Sequence, residues 1–405
     1  MNILFIASMP ITKLDDRGIF PDMVRAFARG GHTVYAVSAC ERREKQPTSM
    51  TKDGNTYVLQ VRTLNNRRVS FLEKAFAVIT TPLLFNRAIK KYLEDFTIEL
   101  IIFSTPPVTI YPLIARLKKR LKVPVYLILK DIWPQAMVDL QVIKKGSILW
   151  KVFDRMAKKL YSICEYIGTM SEGNSNLLSE LYVGLTKEKI EVCPNSVELM
   201  SVEEINSYDQ IDFRDKNEIP DNALLLLYGG SFNKPQGIPF LLEVLDSFCN
   251  DSHVYFILCG AGTDYHLVEE WYMKKQPKNV KIFPYLSKED YFSLLRNSDV
   301  GLVFLDSRFT VPNIPSRVLD YIQFSLPIIA SVDRYTDFRD IIEKGGFGLG
   351  SLTSDLGGFR RNVESLMDNE YRNAMGSAGR CYLEQHWTAD NACNGILAHF
   401  VVNDK

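Results

Sequence analysis

The sequence lacks a cysteine-pairing pattern, a long uncharged apolar run and an overall charge of one sign. Its 7 cysteines are scattered and odd in number, without a C-x-x-C pair, which argues against a disulfide framework and a structural zinc site. Apolar runs stay well short of the roughly 18–20 residues that a membrane span needs. The first residues enter a strand pattern without a basic segment, so we expect no signal peptide and a reduced, cytosolic protein.

The balanced charge hides a strong asymmetry along the 405 residues. Residues 1–197 contain 29 Lys and Arg against 18 Asp and Glu, out of 48 of each class in the whole chain. The first part therefore carries +11 and the remainder −11. This asymmetry favours contact between the first part and an anionic surface. Attraction between two domains across a cleft is the alternative.

Short β-rich apolar runs alternate with amphipathic segments, a pattern that predicts parallel sheets covered by helices on both faces. We predict two doubly wound, Rossmann-like α/β domains that face each other across a cleft, as residues 1–197 and 198–384. Helices are expected at 19–29, 238–248 and 288–297. The predicted strands are 2–8, 32–38, 98–104, 123–129, 166–171, 189–195, 223–230, 254–260, 279–285, 300–306 and 326–332.

Three loops after predicted strands of the second domain have the chemistry of a nucleotide site. Gly230, Ser231 and Lys234 combine a small-residue turn with a positive charge, as a phosphate needs. Gly262 closes a second small-residue turn, and Tyr285 leaves a strand end where its ring can stack on a base. Ordinary glycine turns, a solvated lysine and a core aromatic are the alternatives.

The most informative segment runs from Asn313 to Ala330. Pro315 and Ser316 are helix-start signals, and a helix start offers free amides and a positive dipole end to a diphosphate. Arg317 adds a planar donor fork, and Asp320 can accept hydrogen bonds from ribose hydroxyls. A capped helix with an Arg–Asp surface pair is the alternative.

These residues resemble the signature of retaining glycosyltransferases of the GT-B fold, family 4, of the type that builds capsule and O-antigen polysaccharides. The resemblance is carried by 315–330 with Gly345-Gly346-Phe347-Gly348, by Arg17-Gly18 with Gly31-His32-Thr33-Val34, by Lys130-Asp131-Ile132-Trp133-Pro134, and by Ser171 with Cys193-Pro194-Asn195-Ser196. It extends across nearly the whole chain, and the end of the chain is similar to terminal helices that pack back onto the first domain, here about 385–405.

The resemblance implies a donor domain that holds a nucleoside-diphosphate sugar, commonly a UDP-sugar. It implies that Asp320 binds the ribose and that Ser316, Arg317 and Val318 hold the diphosphate, with Asn313 just before them. The chain departs from the family at Pro312, where a glutamate is usual, and at Asp320, which replaces glutamate. In the phosphate clamp, Ser231 and Gln236 stand where the family has arginine and lysine, which leaves Lys234 as the replacement cation.

Asp131 is the candidate catalytic residue because it follows a buried strand at its carboxyl end. A turn aspartate is the alternative. The resemblance implies retention of configuration, with the departing phosphate taking the acceptor's proton and Asp131 orienting the acceptor. The chain has no D-x-D pair, so we expect neither a metal nor a cofactor.

The first domain is predicted to bind the acceptor and a membrane. Gly18 would allow close approach of the acceptor. The segment Arg62–Lys91 mixes Arg67, Arg68, Lys74, Arg87, Lys90 and Lys91 with Phe71, Leu72, Phe76, Leu83, Leu84 and Phe85, and a second basic run spans 116–122. Such segments lie in anionic membrane interfaces. A core helix with a solvated edge is the alternative.

We therefore predict a metal-independent, retaining glycosyltransferase that moves a sugar from a nucleotide-sugar to a lipid-linked saccharide in bacterial surface polysaccharide synthesis. Its expected location is cytoplasmic, peripheral on the inner face of the plasma membrane, with possible polysaccharide-assembly enzymes as partners and no nucleic acid. A nucleotide-sugar 2-epimerase and a non-catalytic nucleotide-sugar-binding subunit are the alternatives.

Overall fold

The computed structural model describes residues 1–66, 69–210 and 213–400 of the chain. The chain divides into two compact units. Unit 1 comprises Met1–Glu198 together with the segment from Thr388 onward, and unit 2 comprises Leu199–Trp387.

The strands alternate with helices along most of both units. The strands are β1 (Asn2–Ile6), β2 (Thr33–Glu41), β3 (Ser49–Asp53), β4 (Thr56–Thr63), β5 (Leu100–Thr105), β6 (Val125–Leu129), β7 (Tyr166–Thr169), β8 (Ile190–Val192), β9 (Leu224–Ser231), β10 (Val254–Ala261), β11 (Val280–Phe283), β12 (Val300–Phe304), β13 (Ile328–Val332) and β14 (Gly348–Leu352). The helices are α1 (Ile19–Arg29), α2 (Phe71–Leu93), α3 (Tyr111–Leu121), α4 (Gln135–Asp139), α5 (Ile148–Ile163), α6 (Glu172–Leu181), α7 (Val202–Asn206), α8 (Phe213–Lys216), α9 (Ile238–Phe248), α10 (Tyr265–Lys275), α11 (Lys288–Asn297), α12 (Arg317–Gln323), α13 (Phe338–Lys344), α14 (Leu356–Ser365), α15 (Asn369–His386) and α16 (Ala389–Ala398).

Unit 1 is built on an eight-stranded sheet in the order β3-β4-β2-β1-β5-β6-β7-β8. All neighbours are parallel except β3 and β4, which form an antiparallel pair at the edge. The central strands are buried on both faces because helices cover them, which explains their continuous apolar sequences. The carboxyl ends of β1, β5 and β6 therefore lie side by side at one edge of the sheet.

The last described helix, α16, belongs to unit 1 and packs against α1. Its buried residues Ala389, Cys393 and Ile396 join the same core cluster as Phe20 and Phe27 of α1. Burial of the Ile396, Phe20 and Phe27 side chains stabilises the unit by about 1.5–3 kcal/mol each.

Unit 2 has a six-stranded sheet in the order β11-β10-β9-β12-β13-β14, and every pair in it is parallel. Its core cluster joins apolar residues of β9, β10 and β12 to those of α9 and α14, including Leu226, Phe256, Phe304, Val244 and Phe359. The turns that carry the predicted nucleotide residues follow the carboxyl ends of these strands.

The predicted α/β fold with two parallel-sheet, Rossmann-like domains is confirmed. Every predicted strand is present, and the helices expected at 19–29, 238–248 and 288–297 have those bounds. The sequence pattern missed β3, β4 and β14. The first is short and mostly polar, and β14 reads GLGSL, whose glycines have low strand propensity. As a consequence, Arg62 lies in β4 rather than in a basic amphipathic segment.

Candidate active site

Arg317 lies at the centre of the predicted nucleotide loops of unit 2. Its side chain is buried, and its guanidinium carbon lies 4.2 Å from the centre of the Tyr228 ring. The Arg317 Nη2 donates hydrogen bonds to Gln236 Oε1 at 2.6 Å and to the Ser231 carbonyl at 3.3 Å. The Arg317 Nη1 is also buried and has no acceptor among the described residues. A buried donor without an acceptor costs about 1–3 kcal/mol, so this edge of the guanidinium suits an anionic ligand.

Gly230 makes room for this arginine. It has a φ of +123°, and a Cβ atom added to it would lie 3.2 Å from the Arg317 guanidinium carbon. A side chain at residue 230 would therefore be strained and would press on the guanidinium. Gly262, on the next loop, is equally confined, because a Cβ there would lie 2.2 Å from the Phe232 carbonyl oxygen. Packing therefore requires glycine at residues 230 and 262, in the two small-residue turns predicted from the sequence.

The helix entry at Pro315 differs from the expectation in two respects. Ser316 is exposed and adopts helical backbone angles, and its hydroxyl does not cap the amides of α12. The Val318 amide donates to the Pro315 carbonyl at 3.1 Å, so the free amide expected from Val318 is already engaged. The amides of Ser316 and Arg317 remain without an acceptor in the described part of the chain. Donors for a diphosphate at this turn are therefore these two amides and the Arg317 side chain.

Asp320 lies one turn into α12 and is partly exposed. The Asp320 carboxylate interacts electrostatically with Tyr291 and Tyr321, which lie beside the loop after β9. Burial, and then the Asp320 carboxylate, raise the pKa of Tyr291. The Tyr321 hydroxyl accepts a hydrogen bond of 2.8 Å from the Gly229 amide. Tyr291 lies against the same glycine, since a Cβ on Gly229 would be 2.8 Å from the Tyr291 hydroxyl. These tyrosines hold the glycine loop beside Asp320, and sequence reasoning missed both.

The remaining predicted donor residues lie nearer the surface. Lys234 is exposed and begins a short 3₁₀ turn that ends in the buried Gln236. The Tyr285 ring is 81% exposed after the end of β11, which leaves its face open to stacking. Asn313 exchanges two backbone hydrogen bonds with the Thr336 hydroxyl, at 3.3 and 3.2 Å. Ser231 contributes its carbonyl oxygen to Arg317 instead of contacting a ligand through it.

In unit 1, Asp131 follows β6 at the carboxyl edge of the sheet, as predicted. Burial raises the pKa of Asp131 to about 7. A hydrogen bond from the Ile132 amide opposes this rise, as does one from Trp133, while the Asp139 charge adds to it. A carboxyl group that titrates near neutral pH is suited to accept or hold a proton in catalysis.

Lys130 directly precedes Asp131, and the sequence predicts no role for it. Its Nζ is buried and lacks a hydrogen-bond partner in the described structure. Burial lowers the pKa of Lys130 to about 8, so most molecules still carry the charge at neutral pH. No sequence signal other than the position after a buried strand distinguishes this lysine from a solvated one.

Gly18 lies at the start of α1, and its backbone is more engaged than expected. The Gly18 amide donates to Asp22 Oδ1 at 3.0 Å, and its carbonyl accepts from the Asp22 amide at 2.9 Å. Asp22 is buried and also pairs with Arg25 at 2.6 Å. The glycine can therefore admit an acceptor by its small size, but its amide is already bonded within the chain.

A pocket lies at the carboxyl edge of the unit 1 sheet beneath α2. It is lined by Ser8 and Ser104 at the ends of β1 and β5, by Glu41 of β2, and by Phe85 of α2, among others. The two serine hydroxyls are 2.9 Å apart and bonded to each other. A pocket with hydroxyl and carboxylate groups on an apolar floor has the chemistry of a saccharide site.

Only part of the basic and apolar segment Arg62–Lys91 is exposed in the structure. Arg67 and Arg68 lie outside the described residues, and Phe85 is buried in the core rather than available to a membrane. On α2, the exposed residues Phe76, Ile79, Leu83, Arg87 and Lys90 recur every three or four positions and form one stripe, which we call the α2 stripe. Within the part of the chain that the structure describes, no helix is both long and apolar enough to cross a membrane.

The second basic run lies on α3 as far as Leu121, and Lys122 follows the end of the helix. Its Lys118 is not free, because it pairs with Glu165 at 2.5 Å and donates to the Ile163 carbonyl. Arg116, Lys119 and Arg120 are exposed. Across residues 1–66, 69–210 and 213–400, no group of three His, Cys, Asp or Glu side chains is placed to hold a metal ion.

Comparison with known proteins adds the family context. Residues 209–381 match the family described as Glycosyl transferases group 1. WcaI of Escherichia coli (strain K12), named as a colanic acid biosynthesis glycosyl transferase, is 23% identical over 220 residues, which cover 53% of each chain. WbjE of Pseudomonas aeruginosa, named as a glycosyltransferase, is 22% identical over 268 residues, 65% of this chain and 64% of that one. The matches thus span about half to two thirds of these relatives.

The fold also matches solved structures over nearly the whole chain. A trehalose-6-phosphate structure from E. coli, bound with UDP-2-fluoro glucose, superposes with a TM-score of 0.74 at 11% identity and covers 99% of both chains. At this level of identity the likeness establishes the shared two-domain fold.

Proposed function

Residues 209–381 make this chain a member of the group 1 glycosyltransferases with the GT-B fold, and from that premise we propose that it moves a sugar from a nucleoside-diphosphate sugar to a lipid-linked saccharide. The proposed donor is a UDP-sugar, and the proposed setting is the synthesis of bacterial surface polysaccharide. The name of the E. coli relative, which refers to colanic acid biosynthesis, supports this setting.

The observation that carries the donor proposal is the Arg317 guanidinium. Its Nη1 is buried with no acceptor among the described residues, and its carbon, Nε and Nη2 lie against Gly230 of the predicted phosphate loop. We propose that the donor diphosphate contacts Arg317 and the amides of Ser316 and Arg317, with Ser231, Lys234 and Gly262 around it. The ribose would bind Asp320, and Tyr285 and Asn313 would flank the base. The uridine nucleotide bound in the solved relative of the same fold supports a UDP-sugar.

For the chemical step, we propose retention of configuration with Asp131 as the group that orients the acceptor hydroxyl. The bond from the sugar carbon to the diphosphate oxygen breaks, the acceptor oxygen attacks the same face, and the departing phosphate oxygen takes the hydroxyl proton. Arg317, Lys234 and the start of α12 stabilise the charge that develops on the diphosphate. The proposed mechanism needs no metal ion.

For the acceptor, we propose that the saccharide enters the unit 1 pocket at Ser8 and Ser104, that Gly18 allows its close approach, and that the α2 stripe lies on an anionic membrane. Exposed Phe76, Ile79 and Leu83 would enter the interface, and Arg87 with Lys90 would contact lipid headgroups. The protein would then act at the inner face of the plasma membrane, where other polysaccharide-assembly enzymes are candidate partners.

The proposal is tested by thermal-shift screening of the chain against nucleoside diphosphates, followed by transfer assays with lipid-linked saccharides. We expect UDP to raise the melting temperature most, and a UDP-sugar to be consumed only when an acceptor is present. Consumption of the donor without an acceptor would favour the epimerase. Tight UDP binding with no transfer to any lipid acceptor would favour the non-catalytic subunit, which the substitutions at Ser231 and Gln236 also suit.

A further inference from the structure

A second cavity lies in unit 1, between the start of α3 and the first turns of α5. Its volume is about 360 Å³, within the range of roughly 300–1,000 Å³ that small-ligand sites occupy. No acidic side chain is among the described residues that line it. The apolar part of the lining consists of Tyr111, Pro112, Ile148, Val152 and Met156, and the basic part consists of Lys151, Arg155 and Lys159.

The basic and apolar residues of this cavity are arranged regularly along α5. Side chains four positions apart on a helix lie one above the other. The basic residues recur at that spacing, and the apolar residues recur at the same spacing three positions earlier. The two sets therefore form neighbouring lines that run side by side along the helix, an apolar line of Ile148, Val152 and Met156 and a basic line of Lys151, Arg155 and Lys159.

Both lines are accessible to a ligand. The Ile148 and Val152 side chains are 84% and 44% exposed, and the three residues of the basic line are exposed as well. Lys158, on another side of the helix, pairs with Asp154 at 2.8 Å. The basic line forms no ion pair with any residue that the structure describes. Exposed apolar residues that cluster on one surface mark interaction sites, and here they lie beside unpaired cations.

Tyr111 connects this cavity to the proposed saccharide pocket. Ile110 lines the pocket at Ser8 and Ser104, and Tyr111, the next residue, lines the cavity. The Lys159 Nζ lies 6.0 Å from the centre of the Tyr111 ring. Because α3 packs against both α2 and α5, the cavity also belongs to the same layer of helices as the α2 stripe.

We infer that the cavity binds the lipid of the acceptor, with its apolar chain between α3 and α5 and its phosphate on the basic line. The inference rests on the proposed function and extends it, because it gives the lipid part of the acceptor its own site beside the saccharide pocket. The apolar line removes part of the chain from water, and the basic line neutralises the anionic head. The surplus of basic residues in 1–197 favours the approach of such a ligand.

The test uses the full chain and farnesyl phosphate, a short isoprenoid phosphate, below the concentration at which it forms micelles. Farnesol supplies the chain without the charge, and inorganic phosphate supplies the charge without the chain. Binding is measured by isothermal titration. Arg155→Gln combined with Lys159→Gln removes two charges of the basic line, and Val152→Asn places a polar group in the apolar line.

Matched controls carry the same changes outside the cavity. Arg116→Gln combined with Lys119→Gln removes two exposed charges of α3, and Val183→Asn changes an apolar side chain that is 87% exposed. Because every altered side chain of the cavity and the controls is exposed, all variants should melt at the temperature of the wild type.

We expect the wild type to bind farnesyl phosphate at least about tenfold more tightly than farnesol or inorganic phosphate, because both parts of the ligand contribute. The double variant of the basic line should weaken the binding of farnesyl phosphate about tenfold or more and leave farnesol unchanged. Val152→Asn should weaken the binding of farnesyl phosphate about fivefold and leave inorganic phosphate unchanged. The controls should bind as the wild type does.

Three results would overturn the inference. Farnesyl phosphate could bind no more tightly than inorganic phosphate, or the cavity variants could bind it as their controls do. Sedimentation could also show a dimer that Val152→Asn disrupts, which would assign this face to a second copy of the chain. A failure of UDP to stabilise the wild type, measured separately, would count against the donor proposal and leave the farnesyl phosphate result unaffected.

Discussion

The Arg317 Nη2 donates a hydrogen bond of 2.6 Å to the Gln236 side-chain oxygen, although the two residues are 81 positions apart. Gln236 stands where the family signature has a clamp lysine, and it is buried. A lysine there would repel the guanidinium, whereas the glutamine amide oxygen accepts from it. The glutamine thus fixes the orientation of the Arg317 guanidinium.

This relationship predicts that Gln236→Ala weakens UDP binding about tenfold, because Arg317 loses its charge-assisted hydrogen bond and its orientation. Isothermal titration of UDP into the variant checks the value. Gln385→Ala, exposed on α15, is the control and should bind as the wild type does. Unchanged affinity in Gln236→Ala would remove the glutamine from the donor site.

Gly230→Ala should destabilise unit 2 by about 1–2 kcal/mol and weaken UDP binding. The φ of +123° disfavours any side chain, and the added methyl would lie 3.2 Å from the Arg317 guanidinium carbon. Chemical denaturation and UDP titration measure the two effects.

The control for this substitution is Gly395→Ala in α16, where a Cβ would meet open space. Alanine there should raise stability by about 0.5–1 kcal/mol, because the helix interior favours it. If Gly230→Ala and Gly395→Ala changed the free energy of unfolding equally, that result would contradict the packing described around Arg317.

The raised pKa of Asp131 predicts that both the free energy of unfolding and the turnover of the protein depend on pH. Its pKa of about 7 lies above the ordinary value of 3.8, so between these pH values the folded chain binds a proton that the unfolded chain has lost. Stability should therefore fall as the pH rises from about 4 to 7, by roughly 4 kcal/mol at most. Asp131→Asn should flatten this dependence, and the control Asp95→Asn, at an exposed position after α2, should leave it unchanged.

The same group should set the pH profile of turnover. If the ionised carboxylate orients the acceptor hydroxyl, the turnover of the wild type rises as the pH passes about 7. Asp131→Asn should lower turnover by roughly a hundredfold, with donor affinity nearly unchanged. Unaltered turnover would exclude Asp131 from the chemical step.

The α2 stripe predicts salt-sensitive binding to anionic liposomes. Arg87→Gln combined with Lys90→Gln should weaken binding about 30-fold at low salt, at roughly 1 kcal/mol for each charge. Lys274→Gln with Lys278→Gln, exposed in unit 2, is the matched control. Co-sedimentation at low and high salt checks the result, and binding that ignores both salt and these charges would rule out the stripe.

Sequence patterns were sufficient for the two parallel sheets, because buried parallel strands are continuous apolar runs that helices separate. They failed at β3 and β14, where polar residues and glycines form strands only through pairing with their neighbours, and at β4, whose Arg62 was assigned to the basic segment. The motif also predicts that Arg317 and Asp320 lie in the first turn of a helix, and both lie there in α12. The partnership of Arg317 with Gln236, and the burial of the Lys130 ammonium, depend on contacts between distant segments that no local pattern encodes.

The central claim is that the entry to α12 holds the donor diphosphate and that Asp320 holds its ribose. A crystal structure of the chain bound to UDP tests it most directly. The account predicts diphosphate oxygens within about 3 Å of donors on Ser316 and Arg317, and ribose hydroxyls bonded to the Asp320 carboxylate. A nucleotide bound elsewhere on the chain, with Arg317 still covered, would contradict it.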